Sequence, residues 1–197
     1  MATSLRKLQF GAAAASFLLV SLLVLRVSSA AFTAQTPNEN NAWSAGQVAL
    51  SDSRGSGNAM FDVSGMVPGQ TVSRCINVTY TGTASNARVR LYAPTVTGTL
   101  ASHLNVTVTP GSFSSHTYPN CTGFTASGGA AVNGMALNTF GATHGSFANG
   151  VANWDTSGSP QSRGYRFDVT LSSGAPSSAQ GTSAGATFTW EVQTYVP

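Results

Sequence analysis

The sequence predicts one all-β domain, an antiparallel β-sandwich or barrel, behind an N-terminal export signal. Three observations carry this. Apolar and polar side chains alternate with period two along most of the chain. Turns containing Gly and Pro separate the alternating stretches at short spacing, and helical periodicity is nearly absent after residue 31.

The first element is a leader, residues 1–30. Arg6 and Lys7 give a basic start, Gly11 to Leu25 carry no charge, and Arg26 is followed by the small residues Ser28, Ser29 and Ala30. That is the order of a secretory signal peptide, with cleavage by a signal peptidase predicted between Ala30 and Ala31. Arg26 closes the apolar run well short of the roughly 20 residues a membrane-spanning helix needs. No stable membrane insertion is expected after cleavage, and the mature product is expected to be secreted, outside the cell or on its surface.

Loss of the leader removes Arg6, Lys7 and Arg26 from the nine basic residues, leaving six against six acidic ones. A formally neutral chain offers no basic patch, so nucleic acid is not an expected partner. Charged residues make up 8% of the chain, where a soluble domain has about 25%. Ser, Thr, Asn and Gly take their place, and such a surface tolerates close association between copies. Two cysteines, Cys75 and Cys121, are an even count in an exported chain, so a disulfide is the default and two buried free thiols the alternative. Closing that loop would stabilise by about 4 kcal/mol through chain entropy.

Residues 31–40 form an extended segment ahead of the domain at 41–197. The strands follow in order. Val72, Ile76, Val78 and Tyr80 oppose Thr71, Ser73, Asn77 and Thr79, and Ala87, Val89 and Leu91 oppose Arg88, Arg90 and Tyr92. Leu104, Val106 and Val108 share a face, as do Tyr165, Phe167, Val169 and Leu171. Last come Phe188, Trp190 and Val192, alternating with Thr187, Thr189, Glu191 and Gln193. Each reads as a half-buried strand. Pro68-Gly69, Gly82–Asn86, Pro110-Gly111, Gly158–Pro160 and Gly174–Pro176 mark the turns. Residues 111–160 are rich in Gly, Asn and Ser and are expected to be a long excursion with one or two short strands. Cys75 lies on the polar phase of its strand, so a bridge to Cys121 should staple this excursion to the outside of a sheet.

Two blocks of sequence resemble the TasA/camelysin family of secreted bacterial biofilm-matrix fibre proteins. The first is Ala31-Phe32-Thr33, then Asn41 to Leu50 with Ala45-Gly46 and Leu50, then Met66-Val67-Pro68-Gly69 and a strand ending in Thr81-Gly82. The second is Tyr165-Arg166-Phe167, then Gln180-Gly181 and Phe188 to Gln193. Together they cover both ends of the mature chain, while 111–160 has no counterpart. The resemblance implies a jelly-roll-like sandwich, export through a dedicated signal peptidase, and assembly into extracellular fibres. It implies that the freed N-terminal strand of one subunit completes the sheet of the next. The disulfide and the low charge depart from the usual lysine-rich members.

The candidate donor strand is Ala31, Phe32, Thr33, Ala34, Gln35 and Thr36, with Phe32 and Ala34 on one face and Pro37 ending the pairing. Three fates are open to it: augmenting a neighbour's sheet edge, pairing with its own domain, or fraying.

Catalysis is not expected. His103, His116 and His144 are scattered, no H-E-x-x-H motif is present, and neither Glu39 nor Glu191 adjoins a histidine. No G-x-S-x-G is present either. No cofactor or metal is called for, although Asp52 and Asp155 are the positions at which calcium would be sought. Tyr118, Phe124, Phe147 and Trp154 would suit glycan binding or, equally simply, a satellite cluster beneath a loop. The expected function is a non-catalytic structural subunit, a homopolymer of an extracellular matrix or cell-surface fibre. A camelysin-like metallopeptidase and a glycan-binding adhesin are the alternatives.

Overall fold

The alternation seen in the sequence places one face of each long strand against the other sheet. The computed structural model describes residues 33–35, 48–54 and 59–196, with the backbone alone for 33–35. The leader, its cleavage point at Ala30/Ala31, and Phe32 and Thr36 lie outside the described residues. Thr33–Pro197 is the second of the chain's two units.

Among the described residues ten strands form two antiparallel sheets, an all-β sandwich. The four-stranded sheet runs in the order β1 (Thr33–Gln35), β10 (Gly185–Thr194), β4 (Ala87–Thr97), β8 (Val151–Asp155). The larger sheet runs β2 (Leu50–Asp52), β3 (Thr71–Tyr80), β9 (Gln161–Leu171), β5 (Leu104–Phe113), β6 (Phe124–Ala126), with β7 (Val132–Ala136) also on β5.

The register explains the core. Ile76 faces Tyr165, Val72 faces Val169 and Val108 faces Phe167, so one phase of β3, β9 and β5 forms a continuous apolar layer. Val89, Leu91, Trp190 and Val192 meet it from the smaller sheet, and all are buried. Aromatic rings cross the gap: Tyr165 and Trp190 lie 5.4 Å apart, Phe167 and Trp190 5.8 Å, and Phe167 and Phe188 5.0 Å. Tilted pairs of this kind add about 0.5–1.5 kcal/mol each beyond their burial. The entry to β3 is a type II turn, in which the Gln70 amide donates to the Val67 carbonyl (2.9 Å) and Gly69 has φ +85°. Pro68 sets the first corner, and only glycine takes the second without strain.

Residues 111–160 are more ordered than expected. They hold the end of β5, then β6, β7, the helix α1 (Leu137–Thr143) and β8. The helix and the third short strand go beyond the one or two short strands expected of this excursion. Its seven residues bury Leu137 and Phe140, one turn apart, and Gly141 lets it approach Val96 so closely that a β-carbon there would clash. About two turns are too short to register as a periodicity.

The buried phenols give this fold an alkaline limit. Burial raises Tyr165 above its ordinary value of 10.0, and burial together with the neighbouring Glu191 does the same for Tyr92. Tyr80 and Tyr118 are raised by burial. A raised folded-state value gives stability that is complete below the unfolded value and lost as pH climbs past it. The melting temperature is therefore expected to hold to about pH 9.5 and fall steeply above about pH 10. Phenolate absorbance recorded alongside should rise with unfolding; phenolate appearing before any loss of structure would contradict this.

A half-covered sheet edge as the candidate functional site

β10 is paired unequally on its two sides. Along β4 its register runs from Gly185↔Thr97 to Thr194↔Ala87, interrupted by a bulge between Thr187 and Thr189. On the other side β1 covers only three positions: Thr33↔Gln193, Ala34↔Val192 and Gln35↔Glu191. Among the described residues no strand pairs with Gly185–Trp190 on that side. Residues 33–35 thus pair with the last residues of β10 in the same chain.

Beside the uncovered stretch a cleft of about 1360 Å³ opens between the sheets. Val72, Ile76, Val169 and Leu171 line it from the larger sheet, and Phe188 and Trp190 from β10. Its rim carries Val63 and Val67, both exposed. An edge left unpaired among the described residues, next to an apolar cleft, is the local chemistry that accepts another strand, since main-chain groups supply hydrogen bonds and the cleft takes alternate side chains.

Where β1 meets β10, a polar lock holds the outer face. Glu191 is only 3% exposed, and its carboxylate accepts from the Tyr92 hydroxyl (2.6 Å) and from Gln193 Nε2 (2.8 Å). Two neutral donors satisfy a buried carboxylate there, joining β10 to β4. The sequence places Glu191 on the outward phase but gives no sign of its burial.

The cysteines form the Cys75–Cys121 disulfide, with Cα atoms 5.0 Å apart. Cys75 faces Arg166, on the side away from Ile76, so the bridge holds the excursion to the outside of the sheet. The four excursion aromatics do not form one surface. Phe124 packs with Phe113 at 5.3 Å, which in turn stacks on His116 at 4.1 Å, while Tyr118 donates to the Ala59 carbonyl. Phe147 lies under the Arg90 guanidinium, and Trp154 belongs to the core. The four therefore form no single satellite cluster beneath the loop.

The histidines stay apart in role. His144 holds the Asn149 carbonyl at 2.6 Å through Nδ1, His116 stacks as described, and His103 follows the 3-10 turn Thr99–Ser102. Among the described residues no group of three or more His, Cys, Asp or Glu is placed to hold a metal. Asp52 and Asp155, the calcium candidates, pair instead with Arg54 and Arg88. Arg88 holds the Asp155 carboxyl below its ordinary range. Among the described residues no helix is long and apolar enough to cross a membrane.

Comparison of the sequence with protein-family models finds no match, and comparison with curated proteins finds none of significant similarity. The class that fold and site define is an all-β sandwich with a half-covered edge strand.

Amide hydrogen exchange checks that edge. Amides of Gly185–Trp190 that turn away from β4 should exchange like exposed loop amides, whereas Val169 in the centre of the larger sheet should approach the protection of global unfolding. Uniform protection along both sides of β10 would mean that the edge is already closed.

Proposed function

We propose that this protein is an exported, non-catalytic structural subunit of an extracellular matrix or cell-surface fibre, assembled by passing the N-terminal strand of one copy onto β10 of the next. The observation that carries the proposal is the three-residue pairing of β1 on an edge that no other strand among the described residues covers, beside an apolar cleft. A strand that fits its own β10 fits the identical β10 of a neighbour with the same hydrogen bonds. The closed monomer and the linked polymer then differ chiefly in linker freedom and concentration, as in domain swapping. Crowding at a cell surface favours exchange, and a nearly uncharged exterior offers little repulsion against it.

The resemblance of Ala31-Phe32-Thr33, Pro68-Gly69 and the closing strand to TasA/camelysin proteins supports the same reading, including export by a signal peptidase and a role in a biofilm matrix. In this reading the partner is the chain itself. Phe32 is the apolar anchor of the donated strand, and its removal from water would contribute about 1.5–3 kcal/mol at every subunit contact.

The test is to compare mature wild type with Phe32→Asp and with a chain lacking residues 31–36, by size exclusion, negative-stain microscopy and thermal melting. Wild type is expected to form fibres or large assemblies as concentration rises. Both variants are expected to remain folded monomers, the deletion melting slightly lower because its β10 loses the β1 pairing. A wild type that stays monomeric at high concentration and on its producing cells, or variants that assemble equally well, would overturn the proposal.

A further inference from the structure

The second edge bordering the cleft, that of β3, is treated in the opposite way from β10. In an antiparallel ladder alternate residues turn both N–H and C=O to the same side. For β3 the residues facing away from β9 are odd-numbered, and several of their main-chain groups have a guard. β2 pairs with Val78–Tyr80, and Ser53 exchanges bonds with Asn77: the Ser53 amide donates to the Asn77 carbonyl (3.0 Å) and the Asn77 amide donates to Ser53 Oγ (3.0 Å). The Cys75 amide donates to the Pro119 carbonyl (2.9 Å), and the Ser73 carbonyl accepts from Arg74 Nη1 (3.0 Å). Pro119 belongs to the segment 114–123 between β5 and β6, which is pinned by the Cys75–Cys121 disulfide and by the Tyr118 hydroxyl on Ala59. Arg74 is itself unusual. It sits opposite Phe167, on the core-facing phase of its strand, yet its guanidinium turns back to the edge. Inward-phase charges and covering loops are the devices that keep sheet edges from pairing with one another.

We propose that the 114–123 segment and Arg74 together guard a second strand-accepting site, the Thr71–Cys75 stretch of β3, whose partner is the same stretch of a second copy. Two such edges meet antiparallel across a twofold axis through Ser73, placing Thr71 opposite Cys75 and Val72 opposite Arg74. The contact is isologous and closes as a dimer. It is independent of strand donation to β10. With β3 guarded, an incoming strand is directed to β10, and growth follows one direction.

The experiment uses the chain lacking residues 31–36, so that association through β10 does not enter. Arg74→Val/Cys75→Ser/Cys121→Ser removes Arg74 and the disulfide that pins the 114–123 segment. Arg74→Val/Cys75→Pro/Cys121→Ser differs from it only at residue 75, where proline lacks the amide that a partner strand would need. That amide faces away from β9, so the ladder inside the sheet is kept. Near-ultraviolet circular dichroism reports the packed aromatic core of both, and sedimentation equilibrium reports mass. The serine variant is expected to show native-like dichroism and about a twofold rise in mass with concentration, and the proline variant to stay monomeric. Both remaining monomers would overturn the proposal. So would both associating alike, because association would then come from lost packing and not from the edge.

Discussion

The open flank of the sandwich is the constraint on which the rest depends. A β-sheet that is not closed into a barrel ends in rows of N–H and C=O groups that need partners, and two sheets stacked face to face leave four such edges. On one flank β8 and the short strands β6 and β7 form the margin. On the other flank β10 and β3 border a cleft that reaches the aromatic core at Trp190. β3 meets β2, Ser53, Pro119 and Arg74 at positions along its edge, while β10 receives three residues of β1. In the proposed reading, polymerisation through β10 and resistance to random association through β3 would be two consequences of that asymmetry.

Core packing and edge chemistry are coupled through β10. Its inward residues Phe188, Trp190 and Val192 join Phe167 and Tyr165 in one aromatic layer, so the strand is held firmly from within. Glu191 on its other face is fixed by Tyr92 and Gln193. The strand is therefore preorganised before any partner arrives, and a donated strand would order only itself, which lowers the entropy lost on association. The disulfide acts on the opposite edge, where Cys75 is fully buried beneath the loop it holds.

Much of this was legible in the sequence. Period-two alternation located β3, β4, β5, β9 and β10 and their inward faces, because those strands are long and each has one face on the core. Pro68-Gly69 announced its turn, and the phase of Cys75 announced that the bridge lies outside the main core. What sequence did not convey depends on contacts between distant segments. The helix Leu137–Thr143 is too short to show a period, and Trp154 reads as a loop aromatic until β8 pairs it opposite Val89. Burial of Glu191 arises from the Tyr92 neighbour, and the guarding of β3 from a carbonyl at Pro119, 44 positions away in the chain. No local pattern encodes either.

The account's central claim is that the strand pairing with β10 in a monomer is the one exchanged between copies. Thr33 and Gln193 face each other in that pairing, so Thr33→Cys/Gln193→Cys records which chain supplied the strand. Oxidised monomer should carry the link within one chain. Oxidised assemblies should give a ladder of covalent oligomers on a non-reducing gel, collapsing to one band on reduction. Assemblies in which the link stays wholly within single chains would contradict the claim.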